Sequence, residues 1–249
     1  MRDRVKLWAF NRPPVRLRPH LIGIGDSHAG VVQKAVDYGY LRAAVSTCVV
    51  RGATAQGLHN PNSKTDALQI FRDRCDTARD WQSLVFLLGE VDCGFVIWYR
   101  AERHEVSVES QVQRSLSGYR DLLAEQVDSG FRTMVLSVPL PTIRDGQDWG
   151  EIANARREVK AGQRDRTELT LDYNVRLRAT CEEMGAEFLD VTTPTLNPAT
   201  GLVRAEYLNE VRTDHHLHYE RHAKLVGAAI GERLASSQRS AESKLRSRG

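Results

Sequence analysis

Five short, largely apolar runs punctuate the chain: His20–Gly25, Ala43–Val50, Ser83–Gly89, Thr133–Val138 and Ala186–Val191. They are too continuous for the in-out alternation of a half-exposed strand. Each therefore reads as a strand buried on both faces, as in a parallel sheet. Between the runs the apolar spacing changes to steps of three and four. Val108, Val112, Leu116, Tyr119, Leu123 and Val127 form one helical stripe, with Gly130 in the capping place. Leu169, Tyr173, Leu177, Cys181 and Met184 form another ahead of Gly185, and Leu225, Val226, Ala229, Ile230 and Leu234 form a third. Strand alternating with helix predicts an α/β fold, a three-layer α/β/α sandwich on a five-stranded parallel sheet.

Two segments break the alternation. Residues 139–166 are longer than an ordinary connection and densely charged, which predicts a lid or an exposed helical insert, with Trp149 as a lid residue or an oligomer contact. From Ser236 onward the chain is mostly Ser, Arg and Lys with little to bury, so 236–249 is expected as a disordered basic tail. With a basic arm over 1–19, this leaves a single domain over 20–235, within the usual size range.

Lys and Arg number 35 against 32 Asp and Glu, and the surplus sits at the two ends, from Arg2 to Arg18 and from Arg239 to Arg248. Such a distribution argues against a nucleic-acid groove, which needs a clustered basic face. No run of about 18 apolar residues offers a membrane span. The basic start is broken by Pro13, Pro14 and Pro19, unlike a signal peptide. Cys48, Cys75, Cys93 and Cys181 lie far apart, which suits reduced thiols. The expectation is a cytoplasmic protein with no nucleic-acid or membrane partner, with a homo-oligomer left open.

In open parallel sheets, ligands gather at the carboxyl ends of the strands. Gly25-Asp26-Ser27-His28 follows the first run, Arg51-Gly52 the second and Gly89-Glu90-Val91-Asp92-Cys93-Gly94 the third. Asp214-His215-His216-Leu217-His218 stands just before the last helical stripe. Trp98, Tyr99 and Arg100 follow the third block closely enough to line a pocket or to pack.

These four blocks, in this order, resemble the SGNH/GDSL hydrolase superfamily over Leu21 to about Leu234. The resemblance implies a flavodoxin-like SGNH hydrolase fold and a serine esterase or O-acyltransferase. Ser27 would be the nucleophile, His216 the base, and the N–H groups of Ser27 and Gly52 the oxyanion donors. A serine hydroxyl needs a base within reach, the base an acidic partner, and the oxyanion rigid donors. The substrate implied is a small acyl ester, acetyl above all, of a carbohydrate-like or natural-product alcohol, with no cofactor and no metal.

The sequence departs from the family at two points. The family's aspartate stands three residues before its histidine, where this chain has Thr213, with Asp214 one place later. A Ser-His dyad and a triad through Asp214 both stay open, as does the choice among His215, His216 and His218. The family's Asn donor in the third block is Val91 here, and Glu90 and Asp92 are assigned to hydroxyl recognition or to capping. Arg51 is assigned to an anionic substrate group or to the surface. Asp26, Glu90, Asp92 and Asp214 together predict an acidic pocket suited to a sugar ester. Asp26 and His28 also resemble the first motif of metallophosphoesterases, which with Glu90, His215 and His218 would give a metal-dependent phosphoesterase. A third alternative is a non-catalytic sugar-binding module on the same scaffold.

Overall fold

A computed structural model describes residues 18–146 and 159–246 of the chain. Strands β1 (His20–Gly25), β2 (Ala44–Val49), β3 (Ser83–Leu87), β4 (Arg132–Leu136) and β5 (Glu187–Leu189) form one sheet in the order β2-β1-β3-β4-β5. All neighbours pair in parallel. Each strand starts within a residue of a predicted run. β1, β3 and β4 are buried as expected, whereas β2, at the sheet edge, has no buried residue, because only β1 pairs with it and its outer side is open.

Side chains leave the central strands alternately toward two cores. Ile22, Ile24, Leu84, Phe86 and Val135 pack on one side with Phe71, Tyr119, Tyr173 and Leu177. Leu21, Val85, Leu87, Met134 and Leu136 pack on the other with Val32, Ala35, Val226 and Ile230. The helices thus divide into layers. On the first face lie α2 (Ala67–Asp76), α3 (Ile97–Arg103), α4 (Val108–Asp128) and α5 (Gln163–Met184). On the second lie α1 (Val31–Asp37) and α6 (Tyr219–Arg246). The three-layer sandwich is therefore the fold. At roughly 1.5–3 kcal/mol for each fully buried large apolar side chain, these two cores dominate its stability.

Three parts differ from expectation. The last helix continues through Ser236 to Arg246, so the segment assigned to a disordered tail is helical up to that point. Its Ala, Glu, Lys and Arg are strong helix formers, and neither Pro nor Gly interrupts them. A helix already docked by Val226 and Ile230 extends without needing a new nucleus. The insert is also less lid-like than expected: Leu140, Thr142 and Ile143 are buried, and Gln163 onward belongs to α5. Its middle, with Trp149, and most of the N-terminal arm lie outside the described residues. Finally, β6 (Leu196–Asn197) and β7 (Leu202–Val203) make an antiparallel ribbon where no element was predicted.

Strand order reverses around β1, which has β2 on one side and β3 on the other. The loops after β1 and β3 part there, leaving a crevice at their carboxyl ends. Among the described residues no helix is long and apolar enough to cross a membrane.

Candidate active site

The end of β1 runs hard against β3. A Cβ on Gly25 would lie 1.8 Å from the carbonyl oxygen of Leu87, so only glycine fits. Asp26 follows, fully buried, and its Oδ1 accepts the His28 backbone N–H at 2.8 Å and lies 3.2 Å from His28 Nδ1. It thereby caps the tight turn Ser27–Gly30 that leads into α1. Asp26 was expected to face substrate; its capping role turns it inward instead. Ser27, between them, is left at the crevice.

His216 reaches Ser27 from the other end of the chain. Its Nε2 is 2.9 Å from Ser27 Oγ, and its Nδ1 is 2.6 Å from Asp214 Oδ1. The same carboxylate oxygen accepts the backbone N–H of His216 at 3.0 Å. Asp214 Oδ2 accepts the Tyr219 hydroxyl at 2.6 Å. Of the three histidines left open by the sequence, His216 is the one hydrogen-bonded to Ser27. His218 instead faces Glu210 at 3.5 Å.

The loop carrying His216 is anchored on both sides. Leu217 is buried in a small cluster with Leu140 and Val203 of the ribbon. The His218 N–H donates to the Tyr207 carbonyl at 2.8 Å, and the Thr142 hydroxyl donates to the His215 carbonyl at 2.5 Å. The apolar residue after the histidine thus fixes where the imidazole points.

The surroundings favour a neutral His216 imidazole. Burial lowers the His216 pKa, the neighbouring His28 lowers it further, and the Asp214 hydrogen bond only partly offsets them. Burial raises the Asp214 pKa, but hydrogen bonds from Tyr219 and His216 outweigh it, and the net shift is downward. Tyr219, partly desolvated and bonded to that carboxylate, is pushed up to about 12 and keeps its proton.

A cavity of about 950 Å³ opens over Ser27 and His216. Gly52 lines it with a left-handed φ of +73°, and no heavy atom lies within 4 Å of a Cβ built there. Its conformation, rather than crowding, calls for glycine. Arg51 lines the cavity too, as do Val91 and Phe95. Trp98, Tyr99 and Arg100 do not; the Trp98 indole donates to the Cys93 carbonyl at 2.9 Å, and Tyr99 stacks on Phe95.

Glu90 and Asp92 are not in the lining, contrary to expectation. Both are buried, at 2% and 0% exposure. Asp92 accepts the N–H groups of Ala55 and Gln56 at 2.7 and 2.9 Å and the Ser115 hydroxyl at 2.8 Å. It ties the segment beyond Gly52 to α4 rather than reaching substrate hydroxyls. The acidic pocket is therefore corrected: of its four predicted carboxylates only Asp214 reaches the cavity, beside Arg51 and Lys34. The phosphoesterase set is not assembled either, since Asp26 is a cap, Glu90 lies outside the lining and His218 faces Glu210. The histidines that do converge are His28, His215 and His216.

Lys34, Tyr219 and His222 line the cavity without having been singled out from the sequence. Lys34 stands on α1, two turns beyond Ser27, with its ammonium 4.0 Å from the centre of the Tyr219 ring. The one available signal was spacing, since Ser27, Val31 and Lys34 fall four and three apart.

No protein-family model and no curated protein matches the sequence. Solved structures do. A GDSL-like lipase from Bacteroides thetaiotaomicron aligns over 92% of this chain and 94% of its own, with 14% identity and a TM-score of 0.57. An acetyl xylan esterase aligns over 86% of this chain and 98% of its own, with 13% identity and a TM-score of 0.51. At such identities the likeness is one of backbone architecture, and it agrees with the five-stranded parallel sheet and its helical layers. The chain has the fold of the SGNH/GDSL hydrolases.

Proposed function

We propose that this protein is a serine ester hydrolase. The observation that carries the reading is the unbroken line from Ser27 Oγ through His216 to Asp214, at 2.9 and 2.6 Å. Ser27 Oγ attacks the ester carbonyl carbon while its proton passes to His216 Nε2. The carbonyl oxygen becomes an oxyanion facing the N–H groups of Ser27 and Gly52. As the intermediate collapses, the C–O bond to the alcohol breaks and His216 returns the proton to the leaving oxygen. Water, deprotonated by His216, then cleaves acyl-Ser27. An acceptor hydroxyl in place of that water makes the same site an O-acyltransferase. The chain, the ester and water supply every proton and electron pair, so the mechanism calls for no cofactor.

The proposed substrate is a small acyl ester, acetyl first, of a carbohydrate-like or natural-product alcohol. The cavity volume suits a small molecule, and a neighbour in fold acts on acetyl xylan. Lys34 and Arg51 at the cavity also allow the alcohol to carry a negative charge.

The test is covalent. A fluorophosphonate probe should add one mass increment per chain, located on Ser27, and Ser27→Ala should not be labelled. Initial rates on aryl acetate, butyrate and octanoate should fall in that order. Unlabelled wild-type protein that still binds sugar would replace this reading by the sugar-binding module.

A further inference from the structure

We propose that His28, His215 and His216 form a site for a divalent transition-metal ion of the zinc type, and that its occupation switches Ser27 off. The switching part rests on His216 being the base; the metal site does not.

One ligand atom from each of the three side chains lies within 4.8 Å of the other two. The ring centres of His28 and His215 lie 4.4 and 4.3 Å from that of His216. Imidazole is a natural ligand for zinc, copper and nickel. Tetrahedral zinc with Zn–N bonds of about 2.0–2.1 Å places its nitrogens roughly 3.4 Å apart. The ligand atoms therefore have at most about 1.4 Å to close, and His215 is only partly buried.

Two of the three rings already have the outer partner that metal-bound histidines use. Asp26 Oδ1 lies 3.2 Å from His28 Nδ1, and Asp214 Oδ1 lies 2.6 Å from His216 Nδ1. A carboxylate on Nδ1 fixes the tautomer and presents Nε2 as the ligating atom. Acyl transfer explains one such aspartate–histidine pair but gives no task to the second, or to His215.

A second observation comes from the wall of the same cavity. His222 is 4% exposed and lines the cavity, and its Nε2 has no hydrogen-bond partner. A buried ring nitrogen without a partner on the cavity wall is one that a ligand entering the cavity, such as water bound to the metal, would satisfy. The consequence follows from one electron pair: the Nε2 lone pair of His216 can hold the ion or take the Ser27 proton, but not both.

The experiment uses the full chain stripped with a chelator and titrated with Co²⁺. Binding should give the intense visible bands of a low-coordinate cobalt centre, saturating at a single equivalent. His28→Asn and His215→Asn should each weaken it by about 100-fold or more, at or beyond the upper end of what losing only an outer partner costs. Ser27→Ala should bind as the wild type does. Zn²⁺ should slow fluorophosphonate labelling, and His215→Asn should move the midpoint by the factor seen with Co²⁺. Absent bands, or affinities unchanged in both folded histidine variants, would overturn the site. Cobalt binding in a protein that is never labelled would leave the metal site standing and remove the esterase.

Discussion

Asp214 Oδ1 accepts two hydrogen bonds from a residue only two places on, the backbone N–H and the ring Nδ1 of His216. The turn that an aspartate makes with the N–H of residue i+2 brings the imidazole back over its own carboxylate. Asp26 and His28 repeat the arrangement. A spacing one residue shorter than that of the family the sequence resembles thus still lines up Ser27, His216 and Asp214, because a local turn does the work of the longer loop.

Asp214→Asn should keep the fold and lower kcat by on the order of 10³–10⁴, through loss of the correct tautomer. Tyr219→Phe removes one hydrogen bond to the same carboxylate and should cost roughly 10–100-fold. Steady-state kinetics on an aryl acetate, beside thermal unfolding of each variant, separates the two. A Tyr219→Phe rate equal to wild type would show that Asp214 needs no support from that hydroxyl.

The pH profile has a defined sign. His216 acts as a base only when neutral, and its folded pKa lies below the ordinary 6.5. In chelator, the acid limb of kcat/KM should therefore fall below 6.5, with activity retained on the acid side of an ordinary histidine. His28→Asn removes a neighbour that lowers this pKa, so the limb should move to higher pH. A limb above 6.5 in the wild type would contradict the burial of His216.

Val91 lines the cavity at the place where the family carries an asparagine donor. Val91→Asn should raise kcat by about tenfold or more, given that one such donor is worth roughly 10²–10³ elsewhere. Stopped-flow acylation with a chromogenic ester reads it directly. An unchanged acylation rate would mean that the oxyanion is already fully held without this position.

Asp92→Ala should destabilise the fold by about 2–4 kcal/mol, since it strands two backbone donors and a hydroxyl in the interior. Asp92→Asn, which keeps one acceptor, should cost less. Urea unfolding midpoints measure both. A loss of activity without any loss of stability would return Asp92 to the site.

Most of the sheet and the placement of Ser27, Gly52 and His216 around one cavity were legible because both depend on short-range pattern. Buried strands need continuous apolar runs, and Ser27, Gly52 and His216 stand just past strands or before a helix. What failed was the direction of side chains in those same blocks. Glu90 and Asp92 follow β3 as expected, but the helical turns that begin there point them inward, toward Ala55, Gln56 and Ser115 in the case of Asp92. Tyr219 and His222 look like ordinary first-turn residues of α6, and only the packing of α6 beside α1 brings them to Ser27. The continuation of α6 past Ser236 was missed because a low apolar content was read as disorder, whereas a docked helix needs only good helix formers to go on.

Ser27 and His216 are 189 residues apart, yet they meet at the starts of two helices that share one face of the sheet. During synthesis Ser27, the proposed nucleophile, therefore emerges early and without its base. Asp214, His216 and Tyr219 arrive together with the helix that closes that face. Competence and completion of the fold are the same event, so a chain interrupted before α6 docks would carry an exposed serine but no reactive one.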